Sequence, residues 1–251
     1  MMKKSGTPWD AVHVRILGML LLTTSMLSSP STALAAYQGE AVANGGTIIG
    51  VVTFKGTPPA LTPIVVNKDK QVCGKAPIFP QALRVGKHKG IRNVVVHLTD
   101  ITRGKPLTSA SVTLTQKGCG FRPHVLMVQT GGSVQVVNGD PITHNIHTFS
   151  FDNPQLNQAQ PAGSPALAIK PTVPEIIKVQ CDIHKWMAGW IIVTEHPYYA
   201  VTNDHGQFTL TGVPPGTYAL EFWQEALGVV NQTVTVKANE TVHVAVSMKN
   251  E

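Results

Sequence analysis

The sequence predicts an all-β protein, and three features predict it. Eighteen Pro and 22 Gly are spread along the 251 residues, separating short runs of Val, Ile and Thr in the pattern of short strands joined by frequent turns. No long apolar pattern of helical period occurs outside residues 16–27, which argues against helical and doubly wound folds. Several runs alternate apolar and polar residues, as half-buried strands do.

The chain opens with a segment that does not belong to the fold. Lys3, Lys4 and Arg15 flank the apolar run 16–27, and Ala33-Leu34-Ala35 offers a small-x-small cleavage site, so residues 1 to about 35 read as a secretory signal. A membrane anchor is the alternative, but about a dozen apolar residues are too few to span a bilayer. No later stretch approaches the roughly 18 apolar residues a span needs, so none is expected after cleavage. About 215 residues then remain, enough for two modest domains or one larger all-β unit.

Residues 46–54 and 93–98 read as early strands. The strand at 133–137 runs into the turn cluster Asn138-Gly139-Asp140-Pro141, and Thr143-His144-Asn145-Ile146-His147 follows. Residues 176–180 and 190–193 are strand-like and bound the loop Cys181-Asp182-Ile183-His184-Lys185-Trp186-Met187. In the tail, 202–210 and 212–220 each turn into a strand, and 233–236 and 242–246 alternate like half-buried strands.

The loop carries Cys181, His184 and Met187 at i, i+3 and i+6. One thiolate, one thioether and two imidazoles form the set that favours copper in a trigonal His2Cys plane with a weak axial Met. A tight loop between two strands lets one turn wrap these side chains around an ion, and His144 supplies the missing equatorial ligand from a distant segment. His147 lies three residues after His144, which on a strand points it to the opposite face, so it is expected outside the ligand set. His124, in Phe121-Arg122-Pro123-His124, is an outside candidate. His88, His97, His196, His205 and His243 show no ligand spacing. In an oxidising compartment three cysteines suggest one pair and one left over. Cys73 and Cys119 are the expected disulfide, neither having a His or Met within four residues. The alternative pairs Cys181 with one of them and removes the thiolate.

Residues 121–193 resemble a cupredoxin, most like the short-loop amicyanin type, in which Cys-x-x-His-x-x-Met lies on the last loop and a Pro-His-Asn-Val-His-like segment carries the first His. The resemblance implies a Greek-key sandwich with one type 1 copper ion, His144, Cys181, His184 and Met187 as ligands, and Asn145 tying the two ligand segments together. Thr143 stands where such proteins often have Pro, and Lys185-Trp186 replaces a Pro-aromatic pair, but neither change removes a ligand. The resemblance also implies that His184 is the edge through which electrons leave, with Trp186 in the surrounding patch. Trp186 is accordingly expected to be the more exposed and Trp190 the more buried.

The tail, together with 46–54 and 93–98, resembles the carboxypeptidase regulatory-like domain, a small transthyretin-like sandwich without catalytic groups. Too few residues follow His196 for a complete sandwich, so residues 46–106 and 197–250 are expected to build it together, with the copper domain, 107–196, inserted between. Tandem domains are the alternative. The combination is similar to periplasmic proteins labelled methylamine-utilisation or plastocyanin-like, which implies a periplasmic location.

Without the leader's three basic and one acidic residues, 17 Lys/Arg stand against 13 Asp/Glu. Residues 65–105 carry nine basic and two acidic side chains, a face able to steer an acidic redox protein, although a solvated surface is the plainer reading. Nucleic acid is not expected, since no aromatics cluster among those lysines. Three functional classes follow: a one-electron carrier, a copper storage or delivery protein, and a copper oxidoreductase. The complete, closed ligand set favours the carrier over delivery proteins, which tend to use exposed Met- or His-rich clusters, and an enzyme would need an open coordination position or a second metal. Hydrolase and phosphate-loop motifs are absent.

Overall fold

The computed structural model describes residues 36–250, so the expected secretory signal at 1–35 lies outside the described residues. Strands from the two ends of this span build one pair of sheets. Gly46–Phe54 lies between Gln207–Val213 and Thr241–Met248, while Tyr199–Val201, Val95–Leu98, Gly216–Gln224 and Gly228–Val236 form a four-stranded partner. The intervening chain builds a second pair. One sheet orders Leu167–Ile169, Ser133–Asn138, Ser111–Gln116 and Phe121–Arg122; the other orders Asn157–Gln160, His144–Phe149, Glu175–Gln180, Ala188–Thr194 and Val125–Gln129.

Gly46–Phe54 runs parallel to Thr241–Met248, with Thr47 opposite Thr241 and Phe54 opposite Met248. Parallel neighbours need a long crossover, and here the crossover contains the whole second pair of sheets. Side-chain alternation fills two cores. Gly46–Phe54 turns Ile48, Val52 and Phe54 inward, where they meet Leu98, Leu220 and Phe222. Ser133–Asn138 turns Val134 and Val136 inward to join Leu114, Ile146, Ile177, Val179 and Ile191. A small third cluster, Val95, Val125 and Ile192, draws on strands of both sandwiches. Trp190 and Trp223 pack against it, their rings edge to face at 5.0 Å. Trp190 therefore faces the neighbouring sandwich and is half-buried rather than enclosed in its own core as expected.

Residues 64–79, expected with the first sandwich, lie against the second. Cys73 is bonded to Cys119, the expected pair, and Val66, Val72 and Ile78 pack onto the second core. Within this segment Asp69 adopts the left-handed conformation, φ 46°, and starts the short helix Lys70–Cys73. Aspartate tolerates that region better than most residues. The Asp69 carbonyl then accepts the N–H groups of Val72 and Cys73, both at 2.9 Å. Among the described residues no helix is long and apolar enough to cross a membrane.

Candidate metal centre

Three strand ends meet at one end of the five-stranded sheet. His144–Phe149 pairs antiparallel with Glu175–Gln180, His147 opposite Gln180, which brings His144 beside the loop that leaves Gln180. That loop returns directly into Ala188–Thr194, whose Ala188 lies opposite Gln180. Its own backbone closes it: Cys181 N–H donates to the Met187 carbonyl at 3.2 Å, and Met187 N–H to the His184 carbonyl at 2.8 Å.

The side chains converge accordingly. Nδ1 of His144 and Nδ1 of His184 are 3.1 Å apart, and Cys181 Sγ is 3.8 Å from the latter. Ligand atoms of the three residues all lie within 4.8 Å of one another. These residues and Met187 are each at most 1% exposed. Cys181 is free, and Met187 belongs to its apolar cluster.

Each imidazole is held from behind by a carboxylate. His144 Nε2 donates to Asp140 Oδ2 at 3.0 Å, and His184 Nε2 to Asp69 Oδ2 at 2.8 Å. A carboxylate only accepts, so the proton of each neutral ring sits on Nε2 and both Nδ1 atoms keep a lone pair. Two lone pairs facing one another beside a sulfur, sealed from water, repel, and a cation between them removes the repulsion. Nitrogens each about 2 Å from a shared ion stand roughly 3 to 3.5 Å apart, which matches the spacing here. The residues present therefore fit a metal ion.

Asp140 is itself anchored, accepting the backbone N–H groups of Gly118 and Cys119 at 2.9 Å each. Burial alone would raise its carboxyl, but the bonds from Cys119, Gly118 and His144 outweigh it and hold the group below the ordinary carboxylate range. Burial lowers His144 despite the opposing pull of Asp140, favouring the neutral ring that metals take. The sulfur of Cys181 faces two backbone donors, Asn145 N–H and His184 N–H, each at 3.4 Å. Asn145 Oδ1 also accepts Asp182 N–H at 2.5 Å, so Asn145 bonds to both ligand-bearing segments.

His147 and His124 stand outside the cluster. His147 Nδ1 is 3.1 Å from the exposed carboxylate of Asp182, and His124 bonds to Glu225 and to the Ala188 carbonyl. Cys119, Asp140 and His144 also bring potential ligand atoms together, but the Cys119 sulfur is committed to the disulfide. The expected exposed edge of His184 is absent. Its ring is fully buried because Asp69 covers Nε2 and Trp186 packs beside it, ring centroids 5.2 Å apart. Trp186 is half-buried too, its Nε1 donating to the Cys119 carbonyl at 3.2 Å. Asp69 and Asp140 are the site residues that sequence reasoning missed. Asp140 sits in a turn four residues before His144, a usable signal; Asp69 is 115 positions from His184 and gives none.

Comparison with known proteins gives partial likenesses. Residues 182–244 match the family model described as polysaccharide lyase family 4, domain II, a span under half of the chain that includes His184 and Met187 but neither His144 nor Cys181. A Cu-containing nitrite reductase from Thermus scotoductus SA-01 is 27% identical over 37% of this chain, with a TM-score of 0.32, and the chain spans only 24% of that protein. A purple cupredoxin from Nitrosopumilus maritimus is 18% identical, covering 33% of this chain and 99% of that one, TM-score 0.29. Amicyanin from Paracoccus versutus is 20% identical, covering 34% of this chain and 81% of that one, TM-score 0.29. No curated protein matches the sequence.

Proposed function

We propose that this chain binds one type 1 copper ion through His144, Cys181 and His184, with Met187 as the thioether donor, and serves as a periplasmic one-electron carrier rather than an enzyme. The observation that carries the reading is the buried convergence of the two Nδ1 atoms and one free sulfur. A thiolate with two imidazoles and a thioether suits copper better than a hard cation. Copper held there would supply a one-electron couple between its two common oxidation states.

The chain's own residues do the rest. Asp140 and Asp69 orient the rings, and the N–H groups of Asn145 and His184 moderate the charge on the sulfur. The loop's internal hydrogen bonds limit movement of the donors. Exposed Lys68, Lys70 and Lys75 flank Asp69, Lys117 and Arg122 flank Cys119, and Lys185 lies on the ligand loop. These positive charges support an acidic redox protein as partner. Storage or delivery is the second reading, and burial of the whole donor set favours it less, because transfer of an ion needs accessible ligands. His147 and His124 point elsewhere, so neither supplies a ligand for a second metal.

Titrating the protein with Cu(II) while recording visible and paramagnetic-resonance spectra tests the reading. One equivalent is expected to give an intense thiolate-to-copper band and a narrow hyperfine splitting, both lost in Cys181→Ser. A colourless Cu(I) form that oxidants do not convert would favour storage, and spectra of ordinary square-planar copper would overturn the site.

A further inference from the structure

The groups around His184 form a closed circuit. The Asp69 carbonyl accepts Cys73 N–H at 2.9 Å, Cys73 is bonded to Cys119, and the Cys119 carbonyl accepts Trp186 Nε1–H at 3.2 Å. Trp186 lies two residues beyond His184, whose Nε2–H returns to Asp69 at 2.8 Å. On its other side, Cys119 N–H donates to Asp140, the carboxylate behind His144. One disulfide thus sets the backbone around both carboxylates. The Asp69 side chain makes no capping bond to the short helix it starts, so its carboxylate serves His184 alone among the hydrogen bonds of the described residues.

We propose that Asp69 is the positioning residue of His184. Delivered by the Cys73–Cys119 bridge, its carboxylate turns Nδ1 of that ring toward Cys181 and seals the outer edge from solvent. A redox partner then meets the lysine-bearing segment 64–79, not a bare imidazole edge. The effect on a bound ion rests on the copper reading; the effect on the ring does not. An anionic acceptor on Nε2–H makes Nδ1 a stronger donor and favours the more highly charged Cu(II) state.

The test uses long-range nitrogen–proton correlation on the metal-free protein above neutral pH, then the reduction potential of the copper form. In the wild type His184 is expected wholly as the Nε2–H tautomer. Asp69→Ala populates the Nδ1–H form, and Cys73→Ser with Cys119→Ser does the same. Asp69→Asn keeps the Nε2–H form through its amide oxygen but loses the charge. Both Asp69 variants are expected to lose at least tenfold in preference for Cu(II) over Cu(I), a potential rise of about 59 mV per tenfold. A His184 that stays wholly Nε2–H in Asp69→Ala, or a potential unmoved in both variants, overturns the proposal. A protein that takes up no copper overturns the carrier reading instead, and the tautomer measurement still decides the role of Asp69.

Discussion

Asp140→Ala isolates the turn that holds the first imidazole. The wild-type carboxylate, its side chain 4% exposed, accepts three N–H donors, from Gly118, Cys119 and His144. Hydrogen bonds to a charged acceptor contribute about 1.5 to 3 kcal/mol each, and a buried donor left without a partner costs about 1 to 3. The losses overlap, since the Gly118 amide lies nearer the surface, so the whole is set by the two buried donors left without a partner, Cys119 N–H and His144 Nε2–H, roughly 2 to 6 kcal/mol together. Asp140→Asn does little better. Its amide oxygen can serve one side of the turn, but its NH2 then faces a backbone or ring N–H, donor against donor. Urea unfolding of the metal-free protein, followed by tryptophan fluorescence, measures both variants. The expected loss is about 2 to 6 kcal/mol for Ala and at least about 1 for Asn. A loss below about 1 kcal/mol in Asp140→Ala would show that the turn does not depend on this carboxylate.

Three further outcomes follow from other parts of the fold. Burial lowers both His97 and His196 to about 4, while an unfolded histidine titrates near 6.5. The unfolded chain therefore binds more protons between these values, so stability is complete above about pH 6.5 and falls toward pH 4, by roughly 1.4 kcal/mol per unit for each histidine. Denaturant midpoints at pH 7.5 and 4.5 check this, and equal midpoints would contradict it. Reducing Cys73–Cys119, separated by 46 positions, is expected to cost about 4 kcal/mol from loop-closure entropy, read as a lowered midpoint in dithiothreitol. His147→Ala removes only the contact with Asp182 and neighbours outside the ligand set, so copper uptake is expected to equal that of the wild type; loss of binding would place His147 in the site.

The donors on the 181–187 loop were legible because their spacing is local and a strand–loop–strand frame is written on both sides. The disulfide was legible by elimination, since only Cys181 keeps company with His and Met. That pairing already carried the correction to the domain reading: a bridge from Cys73 to Cys119 ties residues 64–79 to the second sandwich, whatever strand pattern flanks them. The burial of His184 was not legible. It depends on Asp69, and no period or propensity links an aspartate between two lysines to a ring 115 positions away. Trp190 misled for a related reason. Alternation separates two faces of a strand but does not say that one face meets a second sandwich, as it does at Trp223.

X-ray absorption at the copper edge of the loaded protein reads the shell of donors around the metal itself. The structure leads us to expect a single short bond to sulfur and two bonds to imidazole nitrogen, with the sulfur contribution gone in Cys181→Ser. A spectrum fitted by nitrogen and oxygen neighbours alone, unchanged by that substitution, would contradict the convergence of Cys181, His144 and His184 on one ion.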